Sequence, residues 1–237
     1  MTLPVAILAG GLATRLWPMT ETIPKSLVDV AGKPFAVHQL ELLKRAGVKE
    51  IVYCIGYLGE KVRDELGDGS RYGLRISYSE DGPRPLGTGG AVRRAVALLG
   101  PAFFILYGDA YLRCDYAAVE EAFRASGRKG LMTVLRNEDR WDRSNVVFEE
   151  GRILRYDKKD RDARMKYIDY GLGVLSAGVL EQYPGNESLD LATVYQDLLG
   201  AGELTGFEVT ERFYEVGSAA GLEEARAFLS GTTTEER

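Results

Sequence analysis

The residues best equipped for chemistry lie near the start of the chain. An apolar run, PVAILA, leads into Gly10 and Gly11, with an arginine at position 15 and a lysine held back to position 25 in LAGGLATRLWPMTETIPKSL. A Gly-Gly step after a buried strand lets backbone come close to a ligand and turns N–H groups toward phosphate oxygens. Alone, the pair reads more readily as a plain tight turn. The two cations shift that balance, because Arg15 can fork onto a phosphate with paired donors and Lys25 supplies a compact point charge. This is not a Walker loop, since the one Gly-Lys pair, Gly32-Lys33, is followed by Pro34, and no GxGxxG occurs. Further on, Asp109 ends the apolar run FFILYGD. A carboxylate at a strand tip suits Mg²⁺, a hard cation that takes few carboxylates plus phosphate oxygens; a turn or helix-cap aspartate would read the same.

Elements that could position these residues alternate along the first half of the chain. Short β-rich runs (PVAILA, KEIVYCIG, LRISYSE, AFFILYG) are separated by helical patterns (PFAVHQLELLKRAG, GEKVRDELG, GGAVRRAVALLG). The alternation predicts an α/β fold with a mostly parallel sheet flanked by helices on both faces. After Asp115 the rhythm changes. A helix, YAAVEEAFRAS, precedes GLMTVLRN, VVFEE, RILRYDKK and IDYGLGVL, which read as strands joined by polar turns, so part of the sheet is expected to be antiparallel. LATVYQDLLGAG and GLEEARAFLS read as later helices. One domain over 1–230 is expected, with 231–237 a frayed tail.

Composition narrows the partners. With 237 residues, 45% apolar content and a net charge of -5, the chain offers no long-range attraction to a nucleic acid. No run approaches the length of a membrane span, and the short apolar start lacks a basic flank, so neither a membrane nor a secretory route is expected. The two cysteines, Cys54 and Cys114, form no CxxC or Cys/His cluster, which fits a reducing cytoplasm. The single histidine, His38, lies in a helical pattern and is expected to be a surface or packed residue, so any chemistry proceeds without histidine.

LAGGLATRLWPMTETIPKSLVDVAGKPF resembles the signature of the sugar-nucleotidyltransferases, G-G-x-x-x-R followed by P-K. PLGTGGAV at 85–92, FFILYGDA, YDKK at 156–159, IDYGLGVL at 168–175 and EVGSAAGLEEA at 215–225 follow in the family's order. The resemblance implies a Rossmann-like nucleotidyltransferase fold whose antiparallel portion binds sugar. It also implies a reaction in which a sugar 1-phosphate oxygen attacks the α-phosphorus of a nucleoside triphosphate and pyrophosphate leaves. By that resemblance Arg15 and Lys25 are catalytic. Leu8, Ala9, Gly10, Gly11, Thr14, Gly87, Thr88 and Gly89 bind nucleotide, and Asn145, Asp157, Lys158, Asp169 and Gly171 bind the sugar phosphate. Asp109 and Glu215 hold Mg²⁺. The chain departs from the family pattern at Glu215, where aspartate is usual, and at Asp157, Asp169, Tyr170 and Asn145, which cluster around the sugar. PLGTGGAV looks most like guanylyltransferases acting on heptose or mannose 1-phosphate, so GTP is favoured. A uridylyl- or cytidylyltransferase, or a non-catalytic regulatory relative, remains open, as does a homo-oligomer. A glycosyltransferase would need a D-x-D motif that Gly108-Asp109-Ala110-Tyr111 does not supply.

Overall fold

The computed structural model describes residues 2–82, 84–185 and 187–232. Its strands in chain order are β1 (Val5–Ala9), β2 (Asp29–Val30), β3 (Lys33–Pro34), β4 (Glu50–Ile55), β5 (Arg75–Glu80), β6 (Ala102–Tyr107) and β7 (Ala110–Tyr111). They continue with β8 (Gly130–Arg136), β9 (Val146–Glu149), β10 (Arg152–Tyr156), β11 (Tyr167–Ser176), β12 (Leu204–Val209) and β13 (Tyr214–Glu215). The helices are α1 (Phe35–Arg45), α2 (Gly59–Leu66), α3 (Gly87–Ala95), α4 (Tyr116–Ser126), α5 (Leu191–Gly200) and α6 (Ala219–Leu229).

The main sheet runs β10-β9-β11-β6-β1-β4-β5, with β8 on the other edge of β11 and β12 beside β8. β6, β1, β4 and β5 are mutually parallel, whereas β11 is antiparallel to both β6 and β8. The parallel half is buried on both faces, which explains its near-continuous apolar strands. Val5 and Ile7 point into a core with α1, α2 and α4, while Ala6 points into a second core with α3 and α5. Phe104 and Leu106 against Phe103 and Ile105 repeat this division on β6. Burial of each such large side chain stabilises the fold by roughly 1.5–3 kcal/mol. Asp115 caps α4 by accepting the N–H groups of Ala117 and Ala118, which explains why the helix begins where the sequence rhythm changes.

A third, smaller core joins α6 to Val28, Val30, Tyr111, Tyr214 and Val216, and fixes the β7–β13 ladder beside the main sheet. His38 is buried, and its Nε2–H donates to the Val30 carbonyl at 2.7 Å; burial lowers its pKa, so it is a neutral packing residue. Among the described residues no helix is long and apolar enough to cross a membrane. Gly231 and Thr232 still bond back to α6, through Phe228 O and Ala227 O. The rest of the expected tail, 233–237, lies outside the described residues.

Candidate active site

Two cavities meet beyond the carboxyl ends of the parallel strands, where ligands of open α/β sheets bind. The first, of about 280 Å³, is floored by Leu8 to Gly11 and walled by Cys54, Asp81, Gly87, Thr88 and Ala91, with Lys25 and Ser26 at one side. The second, of about 540 Å³, lies toward the antiparallel strands and includes Arg15, Asn145, Lys158, Asp169, Gly171 and Glu215. Tyr107 and Asp109 border both.

The segment after Gly11 leaves the sheet, turns three times as short 3-10 turns, and returns with Lys25 at the head of the third, Lys25–Leu27. Along the way it is tied down. Thr20 Oγ1–H donates to Ala13 O at 2.8 Å, Tyr57 O–H to Glu21 O at 2.7 Å, and Lys61 Nζ to Thr22 O at 2.7 Å. The excursion ends with Lys25 Nζ 2.5 Å from Asp109 Oδ2. Next to it, Ser26 Oγ is buried and has no hydrogen-bond partner among the described residues. A buried hydroxyl without a partner is costly, and this one borders the first cavity. Burial pushes the Cys54 thiol up to about 12, so this residue adds no charge to the wall.

The two acidic residues are brought together by short elements. Asp109 follows β6, and the antiparallel ladder pairs Glu215 with Ala110 while Val216 N–H donates to Asp109 O at 2.9 Å. Glu215 does not extend straight outward. Its Oε1 accepts the Ser218 hydroxyl at 2.6 Å and its Oε2 accepts the Gly217 N–H, folding the longer side chain over the start of α6. Two glycines make this possible. A Cβ on Gly221 would overlap the Glu215 carboxylate, and one on Gly217 would lie 2.5 Å from Glu215 Oε2 and 3.0 Å from both Asp109 Oδ2 and an Arg15 nitrogen. Three charged groups therefore converge on a bare Cα.

In the second cavity the β11–β8 register slips between Asp169 and Gly173, and Gly171 adopts φ +97, a bulge only glycine accommodates cheaply. The bulge turns Asp169 inward, where Oδ1 accepts the Gly171 N–H at 3.1 Å and Oδ2 accepts the Tyr156 hydroxyl at 3.1 Å. Asn145 Oδ1 accepts the Asp169 N–H at 2.9 Å. Lys158 Nζ lies 3.6 Å from Asp169 Oδ2 and 5.5 Å from the Tyr107 ring centre, with a side chain open enough to reach a ligand. Burial raises the pKa of Tyr107 and Tyr156, so both phenols stay protonated.

Of the residues singled out from sequence, three are not brought to either cavity. Thr14 is exposed in the first 3-10 turn. Gly89 donates its N–H to Leu189 O at 2.8 Å and serves helix packing. Asp157 accepts the backbone N–H groups of Lys159 and Asp160, closing a turn. Thr88 borders the first cavity, but its hydroxyl joins the start of α5 by accepting the Leu191 N–H. Sequence reading missed Asp81, Ser26 and Tyr107, as well as the aromatic wall of Trp141 and Phe213, whose rings meet edge-on at 6.3 Å. The abrupt end of LRISYSE in Glu80-Asp81-Gly82 was the one available signal for Asp81.

Comparison with known proteins follows this geometry. The Xenopus laevis mannose-1-phosphate guanyltransferase beta-B is 29% identical over 231 residues, covering 95% of this chain and 62% of the relative, so the chain spans somewhat under two thirds of that protein. The N-acetylmuramate alpha-1-phosphate uridylyltransferase of Neisseria meningitidis serogroup B is 44% identical over 113 residues, 47% of this chain and 49% of the relative. HddC from Yersinia pseudotuberculosis, solved with GMP-PN, superposes with a TM-score of 0.81 at 25% identity over 96% of this chain and 99% of HddC. A profile described as "Nucleotidyl transferase" matches residues 5–231. That match covers nearly the whole chain, including the elements that build both cavities: the chain belongs to the nucleotidyl transferases.

Proposed function

We propose that this protein transfers a nucleotidyl group from a nucleoside triphosphate, with GTP favoured, to a heptose or hexose 1-phosphate, releasing pyrophosphate. The observation that carries this reading is the Lys25–Asp109 pair, which stands where the two cavities meet. A sugar phosphate oxygen attacks the α-phosphorus, the bond from that phosphorus to the bridging oxygen breaks, and the electron pair leaves with pyrophosphate. The attacking oxygen is already anionic, so no general base is needed and the packed His38 is no obstacle. What the protein must do is hold two anions in line and offset their repulsion. Lys25 and Arg15 supply fixed positive charge for this purpose, and the Leu8 to Gly11 backbone seats the nucleotide.

Asp109 and Glu215 fit a hard divalent cation: both carboxylates face the cradle at Gly217, and no larger cluster of metal-binding side chains forms among the described residues. Mg²⁺ bound there would screen the triphosphate and favour charge on the leaving pyrophosphate. Such a reaction fits a single cytoplasmic domain.

The test is a matrix of the common nucleoside triphosphates against several sugar 1-phosphates, read by pyrophosphate release. Release is expected only with triphosphate, sugar 1-phosphate and Mg²⁺ together. Release without sugar would make the protein a pyrophosphohydrolase, and nucleotide binding with no release in any pairing would favour a regulatory relative. Lys158→Ala is expected to raise KM for the sugar 1-phosphate roughly 10- to 100-fold, the worth of one charge-assisted bond, with KM for the triphosphate little changed. Equal rises in both KM values would move Lys158 out of the sugar-phosphate site.

A further inference from the structure

Two adjacent polar residues of α1 are buried, and each reaches one of the segments that bring Lys25 and Asp109 together. His38 holds the Val30 carbonyl, five residues beyond Lys25. Gln39 holds the other side. Its amide nitrogen donates to Tyr107 O at 3.1 Å and to Ala110 O at 2.7 Å, the two carbonyls that bracket Gly108-Asp109. One side chain thus spans the turn that presents the carboxylate.

The sheet itself stops short of this turn. Pairing of β6 with β11 ends at Leu106 and Leu172, and the Gly171 N–H beyond that point is taken by Asp169 Oδ1, so the Tyr107 carbonyl lies past the end of the ladder. Gly108 N–H donates to Leu8 O at 2.9 Å, and Val216 N–H takes Asp109 O, which pins the turn toward β1 and toward Glu215. Gln39 adds the hold from α1. An amide that faces two carbonyls must turn its NH2 toward both, and its Oε1 is left buried with no hydrogen-bond partner among the described residues. Such an unpaired oxygen is unfavourable. Its presence follows from what the site asks for, a neutral side chain with two protons on one atom. Glutamate would set oxygen against both carbonyls, and methionine or leucine would offer neither a donor.

We propose that Gln39 is a positioning residue for the transfer reaction, fixing the turn Tyr107–Ala110 so that the Asp109 carboxylate faces Lys25 and the cation. The assignment rests on reading Asp109 as a ligand of that cation. Partners that stand behind a metal ligand set its orientation, and their loss is read first in metal affinity. The test follows manganese binding by its paramagnetic signal in protein loaded with GTP and, separately, with UTP, beside pyrophosphate release and melting temperature. Gln39→Met, equal in length and without a donor, is expected to weaken manganese binding roughly 10- to 100-fold. The Mg²⁺ concentration for half-maximal turnover should rise by the same factor, with KM for the sugar 1-phosphate little changed. Gln39→Asn keeps the NH2 on a shorter stem and is expected to fall between Gln39→Met and the parent. Leu40→Val trims the next residue of α1, wholly buried in the core, and is expected to lower the melting temperature while manganese binding stays at the parent value. Unchanged manganese binding in Gln39→Met, or equal weakening in Leu40→Val, would overturn the assignment and leave the transfer reaction standing. Should Gln39→Met fail to fold, Gln39→Asn carries the comparison, and manganese binding at the parent value there would overturn the assignment. A parent protein that binds no manganese with either nucleotide would also overturn it, and pyrophosphate release then decides the transfer reaction by itself. If manganese binding depends on Gln39 and no pairing of substrates yields pyrophosphate, the transfer reaction fails and the assignment of Gln39 holds.

Discussion

Lys25→Ala is expected to lower kcat on the order of 10²- to 10³-fold, the range seen when a preorganised electrostatic donor is removed from a reacting centre, with smaller changes in KM for either substrate. The ammonium stands beside Asp109 at the junction of the two cavities, where in the proposed reaction two anions approach and a third departs. Its attraction grows as charge shifts onto the leaving pyrophosphate, so the loss falls on the transition state more than on either bound ligand. The competing explanation is that Lys25 merely ties its loop to β6. Its side chain and that of Asp109 are about a fifth exposed, at 23% and 21%. A pair that wet contributes about 1 kcal/mol or less to stability, so the variant should fold and melt near the parent temperature. A kcat within a few-fold of the parent, with that same melting temperature, would leave Lys25 a structural tie.

Glu215→Gln should remove most Mg²⁺-dependent turnover, on the order of 10²-fold or more, and Glu215→Asp should keep a measurable part of it. Glutamine preserves length, its one amide oxygen can still accept the Gly217 N–H, and its NH2 can donate to the Ser218 oxygen in place of accepting from it, so the side chain can keep its fold over α6 while the charge is lost. Aspartate preserves charge but shortens the reach by one methylene, and the bent rotamer shows slack that a shorter chain can take up by straightening. Manganese binding to the nucleotide-loaded protein, followed by its paramagnetic signal, supplies a second reading. Weaker manganese binding in the glutamine variant, with partial recovery in the aspartate one, is the expected order. If the glutamine variant turns over and binds manganese like the parent, the cation is held by Asp109, phosphates and water alone.

The parallel half of the fold was legible because burial on both faces leaves a plain trace, runs such as FFILY in which inward and outward residues are alike apolar. The loop proposed to hold phosphate was legible because its glycines, arginine and lysine lie within one short segment. Pairings made across the chain were not. Trp141 and Phe213 meet through the turn that Asn137 organises by donating to Asp142 O at 2.6 Å and to Ser144 Oγ at 3.0 Å, and neither residue announces the other. The fit of Glu215 depends on what is missing at Gly221, six positions later on a helix. Asp157 shows a use of a carboxylate that sequence does not announce: its Oδ1 closes a turn by accepting the Lys159 and Asp160 N–H groups, and the residue lines neither cavity.

The ties at Tyr57 and Lys61 matter beyond holding a loop still. A free strap between Gly11 and Lys25 would sample many shapes, and each encounter with substrate would have to select the one that presents the ammonium. Hydrogen bonds from Tyr57, just before α2, to Glu21 O and from Lys61 in α2 to Thr22 O restrict that freedom when the chain folds. The ordering entropy is then charged to folding rather than to every turnover, and the lysine meets its ligand already aimed. Tyr57 and Lys61, at and just before the start of α2, line neither cavity, yet through their ties they limit how far the segment that carries Lys25 can move. Substitutions there would broaden the distribution of the charge without changing its identity.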